Sequence, residues 1–137
     1  VLKAMGGAVH YAGQSGNGAL LKLAVNAMFG IQIAALGELL GFLDKSGVDV
    51  SAAVDILSAT PVLSPAAKGA AASMLGQNFA PLFPVELIEK DFGYAQTTAS
   101  AFSAKLPLCE QTRRVFQDAI SNGFGDYHAT GVVKLYR

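Results

Sequence analysis

The stretch Ala19–Leu43, ALLKLAVNAMFGIQIAALGELLGFL, decides the fold. On length alone it could span a bilayer. Lys22, Asn26, Gln32 and Glu38 interrupt it, however, and each would be expensive in lipid. It is therefore read as a buried helix, with Asn17 as its expected N-cap. The turn Asp44-Lys45-Ser46-Gly47 should end it, Gly47 being suited to a left-handed residue. Gly30, Gly37 and Gly41 lie inside this helix, each at a cost of roughly 1 kcal/mol relative to alanine. Such a cost is tolerated where another helix must approach closely.

Helical spacing continues downstream. A short helix is expected from about Ser51 to Ser58, bounded by Thr60-Pro61, and an alanine-rich one over Ala66–Leu75. Pro84 suits the first position of the next helix, which should run from Val85 to about Ala104. Its core stripe would be Ile88, Phe92, Ala95, Ala99 and Phe102. Leu106-Pro107 restarts the chain, with Leu108, Thr112, Val115/Phe116 and Ala119 repeating the pattern to Asn122-Gly123. Asp126 is expected to cap a last helix through Leu135. Upstream, Ala8-Val9-His10-Tyr11-Ala12 is β-like but has no partner strand, and a lone strand is not stable. The expected fold is all-α, a helical bundle around one long buried helix. Residues 1–13 are a strand stub of an upstream domain, and residues 14–137 form the helical domain. A start at Val1 rather than Met leads to the same expectation of a piece of a longer protein.

Composition excludes several functions. The chain has 137 residues, with ten basic and ten acidic side chains and a formal net charge of zero. A nucleic-acid binder would carry a basic excess, as would a polybasic membrane-surface protein; neither nucleic acid nor membrane is an expected partner. Charged residues make up only 15% of the sequence, so some apolar surface is expected to meet a protein partner. A single cysteine, Cys109, rules out an internal disulfide and fits a reducing compartment, with the cytoplasm as the expected location. His10 and His128 lack metal-ligand spacing, and no metal site is expected.

Among residues that could carry chemistry, Gly13, Gly16 and Gly18 read G-x-x-G-x-G rather than the G-x-G-x-x-G of a dinucleotide fold, and no βαβ unit follows. Lys22 and Asn26 lie four residues apart on one helix face, and Gly18, one turn earlier, leaves that face open. Lys22 stands near the helix N-terminus, where the macrodipole disfavours added positive charge. Partial burial would act in the same direction and make it a usable proton donor near neutral pH. The plain alternative is a snorkelling lysine beside an ordinary buried asparagine. Phe83 reads as core, and Lys90 reads as a solvated partner of Glu86. Cys109 reads as an inert thiol, although a first helical turn could lower its pKa. Ser64 has no paired histidine.

The run Gly13-x-x-Gly16-x-Gly18-x-x-x-Lys22-x-x-x-Asn26, opening a long apolar helix, resembles the β-hydroxyacid dehydrogenase family. That family includes 3-hydroxyisobutyrate, tartronate semialdehyde and glyoxylate/succinic semialdehyde enzymes, with 6-phosphogluconate dehydrogenase as a more distant relative. Phe83 through Lys90-Asp91-Phe92-Gly93-Tyr94-Ala95 resembles the family's second block. Asn122-Gly123-Phe124-Gly125-Asp126 to Lys134-Leu135 resembles its last turn and helix, and Ala4-Met5-Gly6-Gly7 to Gly13 the final strand of its Rossmann domain. The likeness covers nearly the whole chain.

The resemblance implies that this is the C-terminal helical domain of an NAD- or NADP-dependent oxidoreductase, the cofactor being bound mainly by an upstream Rossmann domain. It implies that Lys22 is the catalytic residue, donating a proton to a carbonyl oxygen as hydride arrives and taking it back in oxidation. Asn26 would hold substrate, Gly18, Phe83 and Asp91 would shape the substrate site, and Lys90 would contact the cofactor. The implied partners are a small β-hydroxyacid or semialdehyde, the chain's own Rossmann domain, and further copies in a homodimer or homotetramer. Two other readings remain: a non-catalytic dimerisation module, and an imine reductase-type domain, which retention of Lys22 disfavours. By itself the chain is expected to be catalytically inactive.

Overall fold

The computed structural model describes residues 8–137. Five α-helices follow in order: α1 (Asn17–Lys45), α2 (Val50–Ala59), α3 (Pro65–Leu75), α4 (Val85–Ala101) and α5 (Pro107–Ser121). A 3₁₀ segment, Ala129–Leu135, closes the chain. No strand occurs among the described residues; Ala8–Ala12 has no regular structure, and Val9 and Tyr11 are exposed. The all-α expectation holds. The part of the expected strand stub before Ala8 lies outside the described residues.

The glycines of α1 decide how the bundle packs. A Cβ built on Gly30 would lie 2.6 Å from Cε2 of Phe92 and 2.8 Å from Cδ1 of Ile88, both on α4. One on Gly37 would touch the Val133 backbone at 3.4 Å, and one on Gly41 would come within 3.1 Å of the Tyr136 carbonyl oxygen. The close approach expected from these residues is therefore present, with α4 over Gly30 and the C-terminal 3₁₀ segment over Gly37 and Gly41. Around this seam Ile33, Leu40, Ile88, Phe92, Phe116 and Val132 are fully buried, and Phe92 stacks on Phe116 with ring centroids 5.9 Å apart.

Burial is uneven along α1. Its C-terminal half supplies Ile33, Ala34, Leu36 and Leu40 to the core, whereas Leu20, Leu21, Val25 and Met28 are exposed. Only 22% of its most apolar 18-residue window is buried. The reading of Ala19–Leu43 as a buried helix thus holds for much of its second half and largely fails for its first, where Ala27 and Phe29 are partly buried but Leu20, Leu21, Val25 and Met28 are not covered. By length and composition α1 could cross a membrane. Its second half is instead enclosed by the helices of its own chain.

Helix ends follow local chemistry. Asp49 caps α2 by accepting from the Ser51 N–H at 3.0 Å, and Ser64 caps α3 by accepting from Ala67 N–H at 3.1 Å. Gly16, at φ 96°, occupies the N-cap of α1 in place of Asn17, which is already helical. Helix α4 stops at Ala101, before the expected Ala104, because the chain turns through Ser103 at φ 56°. Phe102, assigned to the core stripe, is consequently 69% exposed. On α5, Cys109 takes the buried place expected for Leu108, which is exposed. Burial pushes the Cys109 thiol pKa up, and no lowering by the helix turn is seen.

The last element is capped by His128 and not by Asp126. Its Nδ1 accepts from the Thr130 N–H at 3.3 Å and lies 2.9 Å from the Thr130 hydroxyl. An antiparallel bridge joins Pro84 to His128. Around it, Val85 N–H donates to Tyr127 O at 2.8 Å and Glu86 N–H to Gly125 O at 3.2 Å. These carbonyls satisfy two first-turn amides of α4, whose Pro84 N-cap offers no side-chain acceptor.

Two predictions follow from packing and from capping. Gly30→Ala should lower stability despite better helix propensity, because overpacking against the hemmed-in Phe92 ring costs about 1–3 kcal/mol and propensity returns about 1 kcal/mol. Gly69→Ala in α3, where a Cβ meets nothing within 4 Å, should raise stability by about 0.5–1 kcal/mol. Urea midpoints moving in the same direction for both variants would contradict this account.

Burial holds the His128 pKa below its ordinary 6.5. Below that pH the unfolded chain takes up the proton first, so stability falls toward the folded pKa and the loss is complete beneath it. His128→Asn retains a capping acceptor without the titration. Between about pH 7 and about pH 5.5, its unfolding midpoint should fall less than that of the wild type. Equal slopes for the two proteins would count against this role.

Candidate active site

Helices α1 and α4 cross beside Gly30, and the polar residues one turn toward the α1 N-terminus are held by that crossing. Asn26 and Asp91 are each half-buried there, and Asn26 Nδ2 donates to Asp91 Oδ2 at 2.6 Å. A carboxylate only accepts, so the amide group of Asn26 is fixed with its nitrogen toward Asp91. One N–H and the carbonyl Oδ1 of Asn26 remain for another partner. Asn26 and Asp91, for which the family resemblance implies one substrate site, are thus in direct contact.

Lys22 lies one turn before Asn26 on the same face of α1 and is exposed. The partial burial invoked for it from sequence is absent in this chain. Gly18, a further turn back, is open: a Cβ there meets nothing within 4 Å. Gly18, Lys22 and Asn26 therefore form an uncovered strip on α1, bounded on one side by Asp91.

Phe83 sits on the loop clipped to Tyr127 and Ala129 and is partly buried; its ring stacks on Phe29 of α1 at 6.4 Å. The core role read from residue type is therefore only partly met. Lys90 is exposed, with Nζ 5.6 Å from the Tyr94 ring centroid. It does not pair with Glu86: among the described residues the ion pairs are Glu89–Arg113 at 2.7 Å, Glu110–Arg114 at 2.7 Å and Asp44–Arg137 at 3.2 Å. Lys90 and Asp91 point to different surroundings, the first toward solvent and the second toward Asn26.

Phe29 is a residue that sequence reasoning passed over. It lies three residues beyond Asn26 and carries Phe83, but its apolar character made it look like core. Ser64, which has no paired histidine, has a structural role. Its hydroxyl caps α3 and donates to Gln32 Oε1 at 2.6 Å, tying α3 to α1. No group of three or more histidine, cysteine or acidic side chains that could hold a metal occurs among the described residues.

This strip can hold a small polar ligand against an ammonium and an oriented amide. The exposed Lys90 cation lies beside Tyr94 and not on this strip, and the sequence contains no βαβ phosphate-binding unit.

Comparison with known proteins identifies the family. The family model described as the NAD-binding domain of NADP-dependent 3-hydroxyisobutyrate dehydrogenase matches residues 16–136. Glyoxylate/succinic semialdehyde reductase 1 of Arabidopsis thaliana is 32% identical over 127 residues, covering 93% of this chain and 44% of the relative. An L-threonate dehydrogenase of Cupriavidus necator is 28% identical over 137 residues, covering 99% of this chain and 46% of the relative. The chain spans less than half the length of these curated relatives. Crystal structures of 3-hydroxyisobutyrate dehydrogenases share the fold. The Salmonella typhimurium enzyme superposes with a TM-score of 0.84 at 23% identity, over 88% of this chain and 42% of that one. The Mycobacterium tuberculosis enzyme, solved with L-serine, gives 0.88 at 22% identity, over 99% of this chain and 49% of that one. The chain belongs to the 3-hydroxyisobutyrate dehydrogenase-like family of NAD(P)-dependent hydroxyacid dehydrogenases.

Proposed function

We propose that this chain is the helical domain of an oxidoreductase that moves a hydride between NAD(P) and a small β-hydroxyacid or its semialdehyde, with Lys22 as the proton donor and acceptor. The observation that carries this reading is the strip of Gly18, Lys22 and Asn26 on α1, with Asn26 fixed by Asp91 at 2.6 Å. The bound nicotinamide supplies or accepts the hydride. In reduction the Lys22 ammonium gives its proton to the carbonyl oxygen as the carbon gains the hydride and the carbon–oxygen π bond is lost. In oxidation the Lys22 amine takes the hydroxyl proton back. Asn26 orients the substrate through the amide groups left free by Asp91, and Phe83 packs along the same edge. Lys90 contributes a cation toward the cofactor.

An exposed Lys22 strip suits a site completed by another domain. Residues 1–13 are assigned to the end of that upstream dinucleotide-binding domain and residues 14–137 to the helical domain, so this chain alone should not turn over substrate. The exposed Leu20, Leu21, Val25 and Met28 on the first half of α1 favour homodimer or homotetramer contacts as well. The cytoplasm remains the proposed location.

The testing experiment measures NAD(P)H-linked turnover of the complete parent chain on small semialdehydes and β-hydroxyacids, with Lys22→Ala alongside. Loss of a general acid–base group should lower kcat by about 10²–10⁴-fold, with circular dichroism and light scattering unchanged. Activity indifferent to Lys22 would remove the proposed role. Turnover by the isolated chain would remove the domain assignment.

A further inference from the structure

The same face of α1 that carries Lys22 leads into a second feature. Seven residues bring an α-helix back to nearly the same face, so Phe29 lies above Lys22, roughly 10 Å along the axis at 1.5 Å per residue. Phe29 both stacks on Phe83 and forms one wall of a cleft of about 370 Å³. Its other walls include Ala66, Gly69 and Ala70 of α3, Leu82 and His128. That volume lies within the range of ligand-sized clefts.

Several polar atoms at the cleft already have partners within the chain, Asn78 Oδ1 accepting from the Ala80 N–H at 3.3 Å. Ser73 donates to Asn78 O at 2.5 Å and lies 3.0 Å from the Thr130 hydroxyl, which in turn lies 2.9 Å from His128 Nδ1. With Nδ1 accepting from the Thr130 N–H, the single Thr130 hydroxyl proton also serves Nδ1, while Ser73 gives its own to Asn78 O; the remaining walls are mainly apolar. Small residues on α3 keep the cleft open: a Cβ on Gly69 meets nothing within 4 Å.

We infer that this cleft receives an apolar substituent of the substrate, so that the enzyme favours hydroxyacids bearing a bulky apolar group over compact ones. The occupant follows from continuity: Phe29 borders both the Lys22–Asn26 strip and the cleft, through its stack on Phe83. This inference rests on the reading of Lys22 as the reacting centre, and it goes further by assigning the substrate class.

The test compares 3-hydroxypropionates carrying a methyl or a benzyl group on carbon 2, using the complete parent enzyme with NAD(P). The wild type should turn over the benzyl compound with a kcat/KM at least equal to that of the methyl compound. Gly69→Leu, which fills the cleft, should lower the benzyl-to-methyl ratio by about tenfold or more. Ala66→Phe serves as a second filling variant in case Gly69→Leu folds poorly. Because each ratio is taken within one preparation, a partly folded sample leaves it unchanged. A methyl preference in the wild type that neither variant alters would overturn the inference while leaving the dehydrogenase reading intact. An unchanged ratio with altered light scattering would also overturn it, assigning the cleft to contact between copies. Absence of turnover with both compounds, and with the semialdehyde panel, would remove the dehydrogenase reading and this inference with it.

Discussion

The bundle depends on the close approach that three glycines of α1 permit. At Gly30 the side chains of Ile88 and Phe92 occupy the space where a Cβ would stand, and at Gly37 and Gly41 the C-terminal segment lies directly on the helix backbone. Each glycine weakens α1 as an isolated helix by roughly 1 kcal/mol, and the packing around Phe92, Phe116 and Val132 offsets that cost through burial. Because α4 is seated at Gly30, the turn that carries Asp91 is brought against Asn26. The helix contact and the site geometry are one arrangement.

Much of this was legible in the sequence, for physical reasons. Glycines inside a long apolar helix are costly unless something fills the gap, so Gly30, Gly37 and Gly41 pointed to close packing before any partner was known. The Lys22–Asn26 pair was legible because a four-residue spacing fixes a shared face. The contact between Asn26 and Asp91 was not legible from periodicity, since 65 residues separate them and only the tertiary crossing joins them. Resemblance to a family put both in one site without giving the hydrogen bond.

The misreadings have equally local causes. Apolar periodicity continued through Phe102, but Ser103 in the left-handed region ends α4 early and turns that ring outward. Asp126 resembled a cap by residue type, yet the bridge between Pro84 and His128 registers the chain so that the imidazole fills that place. The exposed first half of α1 shows the limit of hydropathy: it marks a surface that avoids water and does not say whether the cover comes from the same chain.

That unevenness divides α1 into two regimes of motion. Beyond Gly30 the helix is locked into the core and can open only with the whole bundle. Before it, the turns carrying Gly18 and Lys22 are held mainly by their own backbone hydrogen bonds, and the N-cap at Gly16 contributes no side-chain bond. Local opening in such a segment costs far less than global unfolding. Anything that covers Leu20, Leu21 and Val25 therefore also damps the fluctuations of the backbone beneath Lys22. Cover of that surface and steadiness of the backbone beneath Lys22 are thereby coupled through one continuous helix, with Gly30 as the boundary between its uncovered and packed parts.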